Sequence, residues 1–537
     1  MADPDDHGDF LAWLSRRLVW FSLVLLFTGI VAGAYFAWRL TRDEAETFAD
    51  PVAQFKYGST GGDRNFGIPY AMWQVMPTLF RDLMPEGRED EGWAAFGFIY
   101  EDPVDLPPEL HHPRPVGTSL RNTMGLDRIF LNCAGCHAGS VRTDANGKPL
   151  VIAGMPSNTV DLSAFQGFLA KAAVDERFSA DRFLAQIDAE GVDIDLVNRL
   201  AIRFVGVGLV RERLLAIVDR FEDFVHNEPT FGPGRFDTFN PAKALLNWNL
   251  ADLPERERIG VVDFPAVFLQ GEKTGMQLHW DGNNTKVSER NRSAAFGTGA
   301  TPPILDRESL KRMEDWLAVA APPKFTDVFP GQFDAALAAQ GAPIYARECA
   351  ECHGTSGRDF TGEYVGKVTP IGEIGTDRGR LDNYTRDLAV NQDLLYAEFG
   401  SERFQTFRKT NGYANAPLDG LWLRAPYLHD GSVPTLEALL APPEERPEMF
   451  LRGYDVYDPR AMGFVSAPAR IDPKEWPRLF CYATDAHGLA ECPAGAPAMN
   501  GACDAGPCRG NGNGGHRYGT ALAPDEKRAL IEYLKTF

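Results

Sequence analysis

The stretches Cys133-Ala134-Gly135-Cys136-His137 and Cys349-Ala350-Glu351-Cys352-His353 decide the fold of this chain. Each is a C-x-x-C-H motif, the attachment site of a c-type haem, in which two cysteine thioethers hold the porphyrin and the adjacent histidine reaches the iron. A thioredoxin-type redox pair does not need this histidine, and a zinc site would need partner ligands near each motif. The motifs therefore predict two covalently bound haem c groups, with His137 and His353 as proximal iron ligands.

The composition is that of an acidic globular protein. The chain has 537 residues, 44% of them hydrophobic and 11% aromatic, which is enough for two or three packed domains. The formal net charge is −20 and the isoelectric point is about 5.0. An acidic surface repels polyanions, so the composition predicts no nucleic-acid partner, while a basic electron-donor protein is compatible with it.

The four cysteines outside the motifs fall in one segment near the C-terminus that is rich in Gly, Pro and Ala. In an oxidising compartment they predict two disulfides, with three pairings that the sequence leaves open. A metal site is the minor alternative, because their spacing matches no common zinc pattern. These residues are Cys481, Cys492, Cys503 and Cys508.

An uncharged, mostly apolar run from Leu18 to Trp38 is long enough to span a bilayer as a helix. Ala32-Gly33-Ala34 could serve a signal peptidase, but the apolar run continues past it, which favours an uncleaved single-pass anchor in the inner membrane. Because c-type haem is attached outside the cytoplasmic membrane, residues 1–17 are predicted to be a cytoplasmic tail and the remainder to lie in the periplasm. Cleavage, which would release a soluble form, is the alternative.

Helical periodicity is clearest in the middle of the chain. Apolar residues recur at three- and four-residue steps from Ala170 to Ile187 and from Ile194 to Phe224. A helix from Phe333 to Tyr345 is predicted just before the second motif. Residues 43–130, rich in Gly, Pro and aromatics, are predicted to form irregular structure with short helices.

An internal repeat divides the chain. In each half a C-x-x-C-H motif precedes a turn of the form x-Asp-Gly-polar and then an amphipathic helix, predicted at Asp306 to Leu317 with Asp306 as N-cap and at Pro524 to Leu534 with Pro524 in the first turn. The repeat predicts a mainly α protein with two tandem cytochrome-c-type haem domains and long irregular insertions. Their predicted bounds are 39–320 and 321–537, after a transmembrane helix at 18–38. The two turns are Trp280-Asp281-Gly282-Asn283 and His429-Asp430-Gly431-Ser432.

The order C-x-x-C-H, W-D-G, C-x-x-C-H and A-P-Y-L-H-D-G-S-V resembles the bacterial di-haem cytochrome c peroxidase superfamily. Within it the chain is most similar to the rubber-oxygenase-like branch of di-haem cytochromes c. The segments that carry this similarity are Phe55 to Gly58, Gly232 to Arg235, Leu278 to Asn284, Arg424 to Val433, Arg452 to Pro459 and Asn513 to His516. Together they cover roughly residues 53–537.

The residue opposite each iron decides whether a haem can bind a substrate or only stores an electron. For the second haem we expect His516, which sits in a Gly-rich loop before the terminal helix and to which the resemblance also points. The alternatives are an exposed loop histidine with no ligand role, His429 as the ligand, or a methionine, for which Met462 and Met499 are candidates.

For the first haem no sixth ligand stands out, so we expect an open or water-bound iron. His279 could reach the distal pocket, or it could be a satisfied polar residue on a turn. The resemblance implies that Trp280 lies between the haems, where its oxidisable ring could relay an electron. Packing of the domain interface is the compatible alternative.

These features predict a peroxidase-like di-haem oxidoreductase whose first haem binds peroxide or dioxygen and whose second haem transfers electrons. The electron donor would be a small protein or a quinol. The alternatives are an oxygenase that cleaves an apolar alkene, as the most similar branch suggests, and a non-catalytic electron carrier. Di-haem peroxidases often place a Glu over the active haem, and neither Glu289 nor Glu308 obviously matches it. The resemblance also implies a calcium ion between the domains, whose ligands the sequence does not assign.

Overall fold

The computed structural model describes residues 5–227, 229–499, 503 and 507–537. Its first element is the long helix Asp5–Thr41. The part Ala12–Thr41 is long and apolar enough to cross a membrane, and its apolar stretch is exposed, so it fits a membrane span or a signal sequence near the N-terminus. The expected apolar helix is confirmed, whereas residues 1–4 of the predicted tail lie outside the described residues.

A four-stranded antiparallel sheet leads into the first C-x-x-C-H motif. Its central hairpin turns at Met124 and Gly125, whose positive φ angles of 55° and 77° suit a two-residue turn. The prediction of only irregular structure and short helices for residues 43–130 is wrong here, because buried Arg121 pairs with Asp63 and masks the apolar alternation of a strand. In spatial order the strands are Asp43–Ala45, Thr118–Thr123, Leu126–Leu131 and Ile68–Pro69.

The first half of the chain is mainly helical. The helix predicted from Ala170 to Ile187 is interrupted after Val174, because the chain turns to bury Phe178 between the rings of Phe80 and Phe183. A π-helical segment, Ile202–Gly206, joins two of the helices. The α-helices of this half are Pro51–Tyr57, Gly62–Phe66, Tyr70–Leu79, Ala134–His137, Leu162–Val174, Ala180–Ala189, Leu196–Ala201, Val207–Asn227, Asn240–Leu245, Val287–Gly297 and Arg307–Val319.

In the second half, a helix just before the second motif crosses the last helix of the chain. A Cβ on Gly341 would lie 1.9 Å from the Ala529 carbonyl oxygen and 2.8 Å from the Tyr533 Cβ, so only glycine permits this approach. Both helices were predicted, and Asp334 caps the first of them while Pro524 opens the second. The α-helices of this half are Phe325–Val328, Ala335–Glu348, Ala350–His353, Ile371–Ile374, Gly379–Asn383, Arg386–Leu394, Leu436–Leu439, Ala486–Ala490 and Pro524–Leu534.

A similar helix pair lies beside the first motif. The helix Pro51–Tyr57 packs on Arg307–Val319 through Phe55 and Trp316, whose ring centroids are 4.7 Å apart. Asp306 caps the second helix as predicted, by accepting a hydrogen bond from the Ser309 backbone N–H. Each motif therefore lies next to a pair of helices, one before the motif and one at the end of its half of the chain.

Among the described residues, five two-stranded antiparallel sheets complete the fold, and the halves contact each other through some of them. Arg142 donates its backbone N–H to the Asp455 carbonyl at 2.8 Å, and Ser140 Oγ donates to the carboxylate of Asp455 at 2.8 Å. The paired strands are Ala138–Val141 with Leu150–Ala153, Arg235–Asp237 with Val261–Asp263, Val368–Pro370 with Gly412–Ala414, Met449–Arg452 with Phe480–Ala483, and Tyr457–Asp458 with Gly463–Phe464.

The two disulfides expected near the C-terminus form between Cys481 and Cys492 and between Cys503 and Cys508. Of the three pairings that the sequence leaves open, the structure selects the one between neighbours in the chain. The four cysteines of the C-x-x-C-H motifs remain unbridged.

Candidate functional site

The first motif forms a single helical turn, Ala134–His137, directly after the central hairpin. The Asn132 side chain fixes this turn, because its Oδ1 accepts from the Ala134 backbone N–H at 2.9 Å and its Nδ2 donates to the Gly58 carbonyl at 2.8 Å. His137 Nδ1 donates to the Pro265 carbonyl at 2.8 Å. The ring is thereby held in one orientation, with Nε2 as the nitrogen left for a metal.

The second motif repeats this arrangement on the helical turn Ala350–His353. His353 Nδ1 donates to the Ala416 carbonyl at 2.8 Å, and the Tyr345 hydroxyl donates to the Gly354 carbonyl at 2.7 Å. Both motif histidines thus hold their Nδ1 proton on a backbone carbonyl, as metal-ligating histidines commonly do.

Burial keeps both motif histidines neutral, which is the form that binds a metal. Loss of hydration, followed by repulsion from Arg290, lowers the pKa of His137 to about 3. Loss of hydration also lowers the pKa of His353. Both side chains are only half-buried, so the surface they retain is available to a cofactor.

The motif cysteines do not have the properties of a redox pair or a zinc site. Loss of hydration raises the pKa of Cys133 to about 11, of Cys136 to about 12 and of Cys349 to about 12, and also raises that of Cys352. The reactive thiols of redox pairs instead have lowered pKa values. In the described part of the chain, neither motif belongs to a cluster of three or more His, Cys, Asp or Glu ligand atoms.

His516 faces His353. The two ring centroids are 6.3 Å apart, close to the separation of about 6 Å for two imidazoles that bind one metal from opposite sides through bonds of about 2 Å. The His516 Nδ1 is buried without a hydrogen-bond partner, and burial followed by repulsion from His353 lowers the pKa of His516 to about 4. Arg446 steadies this loop by donating to the carbonyls of Gly515 and His516 at 3.0 and 3.2 Å.

The other candidates for a position opposite His353 are engaged elsewhere. His429 is buried and stacks on Tyr413, with ring centroids 4.0 Å apart, and its Nε2 is 2.9 Å from the Tyr413 hydroxyl. Met499 Sδ accepts a hydrogen bond from Asn511 at 2.7 Å, and Met462 is fully buried in the core of the second half. These contacts give all three residues structural roles: His429 supports neighbouring side chains, and Met462 and Met499 pack in the interior.

A cavity lies between the segments that hold the two motif histidines. Pro265, whose carbonyl holds His137, and Ala416, whose carbonyl holds His353, both line it. His279 and Trp280 line it as well. The structure therefore brings His279 and Trp280 to one cavity with the two backbone carbonyls that hold the motif histidines.

His279 is a neutral histidine at the wall of this cavity. Its Nδ1 donates to Asn283 Oδ1 at 2.6 Å, and its ring stacks on Phe407 with centroids 6.2 Å apart. Loss of hydration, followed by repulsion from Arg290, lowers the pKa of His279 to about 4. With the proton on Nδ1, the lone pair of Nε2 is left to accept a proton.

Trp280 connects the two halves. Its indole Nε1 donates to the Asp263 carbonyl at 2.9 Å, and its own carbonyl accepts from the Ala414 backbone N–H at 2.8 Å. Asp263 is two residues before Pro265, and Ala414 is two residues before Ala416. Trp280 is therefore one hydrogen bond away from each segment that positions a motif histidine.

The cavity also holds a set of charges that the sequence analysis missed. Lys273, Arg290 and Arg424 line it, while buried Asp419 pairs with Lys273 at 2.9 Å and with Arg424 at 2.7 Å. Arg290 has no side-chain hydrogen bond or ion pair among the described residues, and burial lowers its pKa to about 10. The cavity lining thus carries more positive than negative charge. No sequence motif marks the residues that supply this charge.

These residues fit a covalently bound haem c. In each half, two unbridged cysteines and a neutral histidine lie on one helical turn. The excess positive charge of Lys273, Arg290 and Arg424 over Asp419 suits the propionates of a haem. The calcium ion that the resemblance implies stays a prediction. In the described residues one cluster of three ligand groups occurs, Glu448, Asp485 and His487, and a surface histidine is not a calcium ligand.

Comparison with known proteins identifies a cytochrome c segment. Residues 412–451 match a family model described as RoxA-like, cytochrome c-like. This stretch contains Tyr413, Ala416 and the A-P-Y-L-H-D-G-S-V segment. The chain thus carries a RoxA-like cytochrome c-type segment around the carbonyl that holds His353, which indicates haem-type redox chemistry.

Two proteins of Sinorhizobium fredii (strain NBRC 101917 / NGR234) are similar in sequence. The uncharacterized protein y4iJ is 24% identical over 88% of this chain and 89% of its own length. The uncharacterized protein y4iM is 31% identical over 42% of this chain and 54% of its own length. The similarity to the first extends over most of both chains.

Proposed function

We propose that the chain is a membrane-anchored di-haem c-type oxidoreductase of the peroxidase kind. The first haem, on Cys133, Cys136 and His137, would bind peroxide or dioxygen, and the second, on Cys349, Cys352 and His353, would transfer electrons. Haem c supplies the redox-active iron for both roles.

One observation carries this proposal. The two motif histidines are held by backbone carbonyls in the same way, but the residues that face them differ. His516 faces His353 at 6.3 Å between ring centroids, whereas no imidazole among the described side chains faces His137 at a comparable distance. A haem with two firmly held histidine ligands stores an electron, and a haem with a labile position binds a substrate. The asymmetry supports electron transfer at the second site and catalysis at the first.

In this proposal His279 and Arg290 act on the bound oxidant. His279 Nε2 accepts the proton of a hydroperoxide, because Nδ1 is already committed to Asn283 and the pKa near 4 keeps the ring neutral. The unpaired guanidinium of Arg290 stabilises negative charge that develops on oxygen. These residues would take the place of the Glu that di-haem peroxidases often use, since Glu289 is occupied by the backbone N–H groups of Gln405 and Thr406.

Trp280 is proposed to relay electrons between the haems. Its hydrogen bonds to the Asp263 and Ala414 segments support a position between the two motif histidines. The electrons would come from a small donor protein or a quinol. The apolar N-terminal helix would keep the enzyme in the inner membrane with both sites in the periplasm, where c-type haem is attached.

Cyanide and peroxide difference spectra of motif variants test the assignment of the two roles. Cys133→Ala with Cys136→Ala removes the first haem, and Cys349→Ala with Cys352→Ala is the matched change for the second. We expect the first pair of changes to abolish the spectral response and the second pair to preserve it. A response that survives loss of the first haem would contradict the proposal.

A second candidate is an oxygenase that cleaves an apolar alkene. The RoxA-like family match favours it, and so do the apolar residues of the cavity wall, including Phe264, Val267 and Leu278. Oxygen consumption with a short isoprenoid, compared with peroxide turnover on a reducing dye, separates the two reactions. Consumption with the isoprenoid and no turnover of peroxide would select the oxygenase.

A further inference from the structure

A group of exposed apolar side chains lies on one helical stretch of the first half. Leu196, Leu200, Phe204 and Val205 are 70%, 45%, 75% and 51% exposed. They belong to the helix Leu196–Ala201 and the π segment that follows it. We call these four residues the apolar face. Large exposed apolar patches of this kind mark contact with another protein or with a membrane.

The π segment keeps the face continuous. Leu196, Leu200 and Phe204 follow one another at four-residue steps, and such a step overshoots one turn of an α-helix. The wider turn of Ile202–Gly206 offsets this overshoot, so that Phe204 remains in line with Leu200. Ile202 and Gly206 are buried while the residues between them are exposed, which places the apolar side chains on the outside.

The apolar face begins beside the end of the N-terminal helix. Arg39, in the last turn of that helix, pairs with Asp195 at 3.2 Å and also bonds Asn198. Arg39 additionally donates to the Gly125 carbonyl at 3.1 Å. Asp195 is the N-cap of the helix that carries the face, so these contacts fix the start of the face to the end of the anchor.

Arg39 marks the level of the membrane surface. The uncharged run of the N-terminal helix ends just before it, and Tyr35 and Trp38 provide the aromatic side chains that favour the lipid headgroup region. Met124, beside Gly125 in the hairpin turn, is 52% exposed at the same end of the molecule. In the anchored protein, exposed apolar side chains at this level would meet lipid.

We propose that the apolar face rests in the periplasmic surface of the lipid bilayer and gives the haem-binding part of the protein a fixed orientation on the membrane. This inference rests on the proposed membrane anchor. The contact is apolar in nature, because the net charge of −20 disfavours anionic lipids and the neighbouring Arg199 and Arg203 are already paired with Asp188 and Asp181. Partial insertion of such a helix into the interface is a known mode of membrane association.

Fluorescence quenching in phosphatidylcholine vesicles tests the proposal on the full chain with its haems attached. All natural cysteines are expected in thioethers or disulfides, so Phe204→Cys provides a single reactive thiol for an environment-sensitive probe. Val390→Cys, at a residue 59% exposed on the helix Arg386–Leu394, is the matched control outside the face. Lipids with a nitroxide near the headgroup should quench the probe at 204 several-fold more than the probe at 390.

A second probe position lies outside the apolar face, so that attaching the probe leaves the four residues of the face unchanged. A probe on Met124→Cys should be quenched as well, and the added changes Leu196→Gln, Leu200→Gln and Phe204→Gln should reduce that quenching, since these exposed positions do not support the fold. Flotation with the vesicles reports the anchor separately.

Protein that floats while the probe at 204 remains unquenched would overturn the proposal and leave the anchor standing. Protein that does not float would overturn both. A blue shift of the probe at 204 that needs no lipid and grows with protein concentration in detergent would show that a second copy of the chain covers the face, which also overturns the proposal.

Discussion

Replacing Trp280 by phenylalanine separates an electron relay from simple packing. The change keeps an aromatic ring between the Asp263 and Ala414 segments but removes the indole Nε1 that donates to the Asp263 carbonyl at 2.9 Å. The loss of one such hydrogen bond costs about 1 kcal/mol. The ring is only half-buried, so the smaller side chain adds little to this cost, and the variant should fold with both haems attached.

Phenylalanine is much harder to oxidise than tryptophan, so electron transfer between the haems should slow by at least about tenfold, equivalent to about 1.4 kcal/mol in the barrier. Rapid mixing with a reductant, followed optically at each haem, measures this rate. Cyanide affinity at the first haem should not change, because the iron and its motif histidine are untouched.

Trp422→Phe is the matched control. Trp422 is fully buried, and its Nε1 donates to the Pro323 carbonyl at 3.1 Å, so the same chemical change costs at least as much stability there. Its electron-transfer rate should nevertheless equal that of the unchanged protein. Unchanged transfer in the Trp280 variant, or equal slowing in both variants, would refute the relay and leave Trp280 as a packing residue.

Three further changes have defined outcomes. His516→Ala should convert one low-spin haem to high-spin in the optical spectrum and leave the other unchanged; an unaltered spectrum would return the ligand role to His429 or a methionine. Gly341→Ala should lower the free energy of unfolding by about 3 kcal/mol, since the new methyl group meets the Ala529 carbonyl, whereas Gly167→Ala, with nothing within 4 Å, should be neutral or slightly stabilising in denaturant titrations. Burial, followed by repulsion from Asp377, raises the pKa of Asp430 to about 8. Between about pH 4 and pH 8, Asp430 therefore keeps its proton in the folded protein. In the unfolded chain, where an Asp has an ordinary pKa of about 3.9, this proton has been released, so the free energy of unfolding falls as pH rises through this range. Asp430→Asn should flatten this dependence, and an unchanged pH profile would contradict the raised pKa.

Local patterns in the sequence predict the parts of the structure that depend on neighbouring residues. The motif turns, the Asp306 cap, the helix opened by Pro524 and the apolar N-terminal helix each follow from contiguous residues. The hairpin Thr118–Leu131 does not, because its turn is Met-Gly instead of Asn-Gly and its strands carry two buried arginines. Arg121 is neutralised by distant carboxylates such as Asp63, and Arg128 donates to distant backbone carbonyls.

The candidate site is less accessible to sequence reasoning because it is assembled from remote segments. The carbonyls of Pro265 and Ala416 accept from the motif histidines 128 and 63 residues away. Any residue type offers such a carbonyl, so no side-chain pattern marks these positions. Arg290 is one of two arginines in the polar helix Val287–Gly297, and only the cavity distinguishes it from a solvent-exposed charge.

The most direct test of the account is to count the covalent haems and to determine the coordination of each iron in the isolated ferric protein. A haem assay after acid–acetone extraction, combined with low-temperature electron paramagnetic resonance, measures both. The account predicts two haems per chain that resist extraction, one low-spin with two histidine ligands and one whose signal changes when cyanide is added. Fewer than two haems, or two low-spin haems that both ignore cyanide, would contradict it.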